Sequence, residues 1–372
     1  MRNWLLSILM ALVLPLPLSS QELEWSVNMN AVFNNREGGN RETPDQTFIF
    51  TRITPQIGVS MDSAHHRIMG GVTWYQPMND HLHGYKVLPA LYYQYHNQQR
   101  GLSMAIGMIP DALRISRFLQ SDSMNYVNPN INGFLINIEK PHFSFLSWLN
   151  WRQFRTNNRR EAFDVTGQAF WHSGNYGYNR FQAGGTARYN HLAKSFNSPE
   201  GEGVVDNVIL NPSFGFTHYG RTRLRDFFSI KAGMLLSIDR DRPGENKWLS
   251  QAGFMGDIEG RWKWLSLQEH VYVGKRQMPL YDKYGPLLYL GDQFYHNKFY
   301  SRTDVGATIF ERDFVNVEAR LTFIATDKTT AFWQQVSARF YLDTKIWKRN
   351  KQPKSFDNHN GIITERWLPA QF

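Results

Sequence analysis

The histidines and carboxylates are where this chain could do chemistry. Asp80, His81 and His83 stand close enough for acid–base work or for part of a metal site, and His65-His66 is a second histidine pair. A catalytic metal needs at least three protein ligands in fixed geometry. Neither stretch supplies the remaining ligands, so a solvated polar loop accounts for both, and no metal or cofactor is predicted. The absence of cysteine excludes a disulfide framework, a thiolate metal site and a cysteine nucleophile. No glycine-rich phosphate cradle or dinucleotide fingerprint occurs.

A second set of chemical groups is more regular. Arg52, Arg188, Lys231, Asp257, Glu259, Arg261, Lys263, Arg302, Asp304, Glu318, Arg320 and Arg339 each fall on the polar side of a two-residue alternation. Val315, Val317, Ala319, Leu321 and Phe323, for example, alternate with Asn316, Glu318, Arg320 and Thr322. Such a period places apolar and polar residues on opposite faces of a strand. If the polar faces line a lumen, charged rings would bias ion passage, and the excess of basic groups predicts a mild anion preference. Pairing across strands, as between Arg302 and Asp304 or Glu318 and Arg320, is the competing expectation.

The elements that position these groups are strands. Sixteen segments carry the alternation, near 24–35, 47–61, 66–76, 85–97, 101–110, 131–140, 143–154 and 161–172, then near 178–192, 205–219, 224–238, 250–264, 267–277, 298–310, 314–326 and 331–346. Their lengths approach what a tilted membrane-spanning strand needs. The links between them alternate too: tight turns such as 62–65, 97–100 and 265–266 interleave with longer links at 36–46, 77–84, 111–130, 193–204, 239–249 and 278–297. Two fit the rhythm less well, 155–160 being short for its side and 173–177 long.

Composition agrees. Aromatic residues make up 15% of 372 residues, yet mean hydropathy is −0.48. That excludes disorder and a bundle of membrane helices, and alternation explains how both characters coexist. Aromatics cluster near strand ends, at Trp74-Tyr75, Trp148 and Trp151, Trp262 and Trp264, and Trp347, as in the girdles of membrane barrels. Met1 to Gln21, with a basic start and a proline-broken apolar run, reads as a secretory signal peptide. The mature chain then divides into a barrel over 22–347 and a basic tail over 348–372, which hangs in the periplasm or closes the last strand. The formal charge of +9 is spread over many strands, which argues against nucleic acid as a partner.

With these features and a final Phe372, the chain resembles Gram-negative outer-membrane β-barrel proteins of the porin type. The resemblance implies an all-β fold, a transmembrane antiparallel up-and-down barrel of about sixteen strands, roughly fourteen to eighteen. It also implies an outer-membrane location, insertion by the barrel-assembly machinery, contact with outer-membrane lipid and lipopolysaccharide, and a possible homo-oligomer. The function it implies is diffusion of small hydrophilic solutes, a transport channel rather than an enzyme. Within the first long link, Arg114, Arg117 and Asp122 are candidates for a constriction folded into the lumen. A loop-plugged barrel serving export or a partner protein is the alternative. The third reading is a phospholipase-like hydrolase: His142-Phe143-Ser144 is similar to the His-x-Ser spacing of outer-membrane phospholipase A. Phe145 and Leu146 depart from that family's pattern.

Overall fold

A computed structural model describes residues 21–39, 43–78, 84–111, 113, 115–173, 178–199, 201–220, 226–312 and 314–344. The signal peptide except Gln21, the 348–372 tail, Arg114 and Asp80, His81 and His83 lie outside the described residues.

Alternation resolves into sixteen strands. They are β1 (Glu22–Glu37), β2 (Gln46–Met61), β3 (His66–Pro77), β4 (Lys86–Asn97), β5 (Leu102–Ile109), β6 (Ile131–Lys140), β7 (Phe143–Gln153) and β8 (Ala162–His172). There follow β9 (Asn179–Leu192), β10 (Val205–Tyr219), β11 (Asp226–Asp241), β12 (Trp248–Trp262), β13 (Leu265–Gly274), β14 (Phe299–Arg312), β15 (Val315–Thr326) and β16 (Thr330–Asp343). Each pairs antiparallel with its sequence neighbours, and β1 pairs with β16, so the sheet closes into a barrel with no free edge. Closure matters in lipid, where an unpaired edge has no water to satisfy it.

One face of the wall is greasy. Leu23, Ile57, Ile68, Leu91, Ile106, Phe181, Phe214, Phe254, Leu321 and Phe323 are all exposed, and each shares a parity with the other outward residues of its strand. The opposite parity carries Arg52, Thr54, Asp164, Arg188, Asn207, Asp239, Arg302 and Asp304, all buried in the interior. This inverts a soluble barrel. The chain is a closed antiparallel barrel with its apolar face turned outward, the form a membrane-spanning barrel requires.

Two connections on the long-link side fold inward. Segment 110–130 carries the short helix α1 (Asp122–Val127), capped by Ser121 Oγ accepting from the Met124 N–H. Segment 275–298 carries the single turn α2 (Tyr281–Tyr284) and two 3-10 turns. Together they place Phe118, Leu119, Leu288, Tyr289, Phe294 and Tyr295 in an apolar cluster with Leu192, Tyr272 and Trp333 of the wall. A sixteen-strand lumen is too wide for wall side chains to fill, and this cluster fills part of it with loop residues instead.

Candidate functional site

The interior is held by crossed ion pairs. Arg117 of segment 110–130 donates to Asp304 of β14 at 2.8 Å, while Asp122 of α1 receives Arg302 of β14 at 2.9 Å. Arg302 also binds Asp304 at 3.0 Å. Because each partner carries a charge opposite to its neighbour on the same element, a shift of the segment would set like charges together. Burial by itself would raise the Asp122 carboxyl, but the guanidinium groups of Arg302 and Arg117 bring it down to about 2. Arg52 donates to the carbonyls of Asn125 (2.8 Å) and Tyr126 (3.2 Å) and pairs with Asp111 at 3.2 Å. Arg188 donates to the Leu119 carbonyl.

The remaining inner-face residues singled out by sequence sit as follows. Lys231 stands opposite Asp257 in the β11–β12 register. Glu259 accepts from Gln268 at 2.9 Å, and Arg320 pairs with Glu318 at 3.0 Å. Arg261 lies 3.9 Å from Glu311, and Arg339 stands opposite Asn316. Lys263 is a correction. It occupies the exposed β12–β13 turn with φ of 55° and its ammonium over the Trp262 ring, outside the lumen. The alternation of β12 runs on through Lys263 in sequence, whereas the strand ends at Trp262 to make the turn.

His142 sits in the β6–β7 turn, its Nδ1 3.2 Å from the His172 carbonyl, and Ser144 lies on the inner face of β7. Their spacing does not form a histidine–serine pair. Among the described residues no cluster suited to a metal occurs.

Three Asp–His pairs form among the described residues: Asp62–His65, 3.2 Å apart and exposed in the β2–β3 turn, and two on opposite faces of the wall. Inside, Asp257 Oδ1 lies 2.6 Å from His270 Nδ1, and the Tyr295 hydroxyl sits 2.7 Å from His270 Nε2. Both ring nitrogens are occupied, and Tyr295 and Tyr300 cover the imidazole with ring centroids 5.5 Å away. Outside, His191 near the end of β9 stands opposite Asp206 at the start of β10. Their parity is that of Phe181 and Phe214, exposed at 56% and 66%, so both face outward at the long-link end.

That outer pair is built up by its neighbours. His191 Nδ1 lies 2.8 Å from Asp206 Oδ1, and the Tyr189 hydroxyl donates to the same oxygen at 2.6 Å. Arg242 donates through Nε (3.0 Å) and Nη2 (2.7 Å) to Asp206 Oδ2. The imidazole packs on the Phe163 ring at 4.9 Å. Asp206 is thereby sequestered at 5% side-chain exposure while Arg242 remains half exposed at 49%. No described group takes His191 Nε2. Charged side chains on a barrel's lipid face cost roughly 2–4 kcal/mol at the midplane but about 0–1 near the interfaces, so the rim is where such a cluster is tolerated. Other polar groups on the outer wall lack this arrangement among the described residues: Glu269 accepts from Ser301 (2.8 Å) and Thr303 with no histidine beside it, His66 meets the Tyr93 hydroxyl at 2.7 Å with no acid, and His218 meets Asn179 Oδ1 at 2.8 Å.

His191 and Asp206 do not stand out in the sequence because each occurs singly within an alternating strand. The available signal was their phase: a histidine and an aspartate on parities that otherwise carry mainly apolar residues, such as Phe181, Ala183 and Ala187 on β9 and Val208, Leu210, Phe214 and Phe216 on β10.

Among solved structures, the barrel is similar to the outer membrane protein OprD from Pseudomonas aeruginosa, at 8% identity and TM-score 0.46 over 86% of this chain and 93% of that one. OpdO from the same organism shows 10% identity and TM-score 0.47 over 87% and 98%, and OpdQ 9% and 0.44 over 87% and 98%. No curated protein matches the chain in sequence. A family model described as "Lipid A 3'-O-deacylase-type" matches residues 16–346. That is a family of enzymes, and the match overturns the expectation of a barrel that carries out no reaction. The chain belongs to the lipid A 3'-O-deacylase-type family.

Proposed function

We propose that this protein is an outer-membrane hydrolase that cleaves an acyl ester of an anionic outer-leaflet glycolipid from the outer wall of its barrel. The single observation that carries this reading is the outward-facing Asp206–His191 pair at the long-link rim. With the long links extracellular, this rim meets the outer leaflet, so an ester near the headgroup reaches the imidazole without entering the lumen.

The residues divide the work as follows. Asp206 orients the imidazole and stabilises its protonated form. His191 Nε2 takes a proton from water as the oxygen attacks the ester carbonyl, and returns it to the sugar alkoxide as the C–O bond breaks. The products are a free fatty acid and a sugar hydroxyl. Arg242, with Nε and Nη2 engaged on Asp206, directs its positive charge at the developing oxyanion or a neighbouring phosphate. The test is fatty-acid release by the purified protein from vesicles containing an acylated, phosphorylated glucosamine lipid. Release by the wild type and its loss on His191→Ala is the expected result. Equal release by both would dismiss this site.

A second reading, passage of small hydrophilic solutes with a mild anion preference, is favoured by the sixteen-strand girth and by Arg261, Arg320 and Arg339 on the inner face. Under it, the in-folded segments must at times clear a path. Reversal potentials in a salt gradient test the preference, and cation selectivity would contradict it. Lipopolysaccharide and the barrel-assembly machinery are the partners this account proposes.

A further inference from the structure

The two in-folded segments are anchored in different ways. Segment 110–130 leaves the wall between β5 and β6 and is then tied around the lumen. Asn28 of β1 donates to Asp111 at 2.7 Å, and Arg52 of β2 holds the Asn125 and Tyr126 carbonyls. Arg188 of β9 holds Leu119, Asp304 and Arg302 of β14 hold Arg117 and Asp122, and the Tyr126 hydroxyl donates to Gln335 of β16 at 2.9 Å. A segment fastened on opposite sides of the barrel cannot swing aside without breaking several charge-assisted bonds in one step.

Segment 275–298 is fastened mainly along one side. The Tyr289 hydroxyl donates to Asp239 of β11 at 2.6 Å, and the Tyr284 hydroxyl and Lys283 ammonium reach Asp241 at 2.8 and 2.7 Å. Gln277 donates to the Tyr272 hydroxyl of β13 at 2.7 Å, and Tyr295 meets His270 of β13 at 2.7 Å. From across the lumen it receives Arg152 of β7 on the Leu287 carbonyl at 2.9 Å.

Between the segments lies a narrow seam. The Ser121 N–H donates to the Leu290 carbonyl and the Asp292 N–H to the Arg117 carbonyl, both at 2.8 Å. Gly291 lies between them, and a Cβ there would come within 2.4 Å of the Phe118 carbonyl oxygen. The seam closes because residue 291 has no side chain.

We infer that segment 275–298 is a flap hinged on the β11–β14 side that closes the lumen against the fixed segment 110–130, so that the barrel is a gated passage. This rests on the passage reading of the lumen and is independent of the hydrolase site on the outer wall. Opening parts the Ser121–Leu290 and Asp292–Arg117 bonds, the Arg152 contact, the Arg160 guanidinium over the Tyr284 ring (5.2 Å) and the Phe294–Trp333 ring contact (6.0 Å), and leaves the bonds to β11 and β13 attached.

The chain contains no cysteine, so a single engineered disulfide can be read without background. The experiment records planar-bilayer conductance of the full-length barrel in three forms. They are the wild type, the pair Ser121→Cys with Leu290→Cys in oxidised and reduced states, and Gly291→Ala, which wedges the seam. Circular dichroism verifies that each form is folded. The expected result is brief openings in the wild type, at least tenfold fewer in the oxidised pair with recovery on reduction, and at least tenfold more in Gly291→Ala. Steady conductance unaffected by the disulfide would overturn the flap and leave the passage reading standing. Silence in every form, including Gly291→Ala, would overturn both.

Discussion

The outer and inner Asp–His pairs contain the same two side chains at similar distances, 2.8 Å in Asp206–His191 and 2.6 Å in Asp257–His270. Their surroundings separate them. The inner imidazole has its second nitrogen taken by Tyr295 and lies beneath the flap. The outer one rests on Phe163 with Nε2 unclaimed among the described residues, and its aspartate is fixed by Arg242 and Tyr189. A hydrogen-bonded pair with no open nitrogen is a fastener, whereas one on the outward face with a nitrogen unclaimed among the described residues is the one proposed as a base. On the proposed reading, what surrounds the pair, rather than its own geometry, separates the structural dyad from the reactive one.

This contrast can be broken by mutation. Removing a positioned general base costs about 10²–10⁴-fold in rate, so His191→Ala is expected to lower acyl release by that order with the melting transition nearly unchanged. His270→Ala is expected to leave release intact and to loosen the flap, read as faster amide hydrogen exchange in 275–298. The reverse assignment of the two effects would invert the account.

The next effect in size belongs to the interior charges. Asp304 takes both Arg117 and Arg302, and removing one member of a buried pair costs roughly 3–5 kcal/mol. Asp304→Asn should therefore lower the thermal midpoint more than Asp206→Asn, whose neighbours are partly solvated. Gly291→Ala follows at about 1–3 kcal/mol by overpacking, measured by denaturant unfolding.

Acid sharpens the comparison further. The Asp122 carboxyl, at about 2 in the folded protein, lies below its ordinary value of about 3.9. Its stabilising contribution is thus complete above that ordinary value and declines as pH falls toward 2. Docking of segment 110–130 should be constant from pH 8 to 5 and weaken only in strong acid, as followed by tryptophan fluorescence. The smallest effect is expected from Lys263→Ala, within about 0.5 kcal/mol and with no change in ion selectivity, because the turn places it outside the lumen.

Strand number and order were legible in the sequence because a period of two extends over every spanning segment. Boundaries such as Leu102–Ile109 and Val315–Thr326 fall within a few residues of the alternating stretches. The pairing of Arg302 with Asp304 was legible for the same reason, since residues two apart share a face. What alternation does not carry is contact between distant segments. Nothing local to Arg117 or Asp122 points to β14, nothing at Tyr295 points to His270, and nothing at His191 points to Arg242, because these meetings depend on barrel closure and loop return. Lys263 shows the complementary failure, where a periodic pattern ran past the residue at which the backbone turned. Absence of catalysis was inferred from missing motifs and is overturned by the family match; a pair assembled across two strands, such as the proposed Asp206–His191, leaves no motif to find.

The central claim is that the chemistry is on the outer wall and the lumen is separate from it. The most direct measurement is acyl release from glycolipid vesicles by the disulfide-tethered Ser121→Cys/Leu290→Cys protein, with and without His191→Ala. The account predicts full release from the tethered barrel with its lumen locked, and loss of release when His191 is removed. Release that disappears on oxidising the tether while His191 is intact would place the reaction inside the lumen and contradict the account.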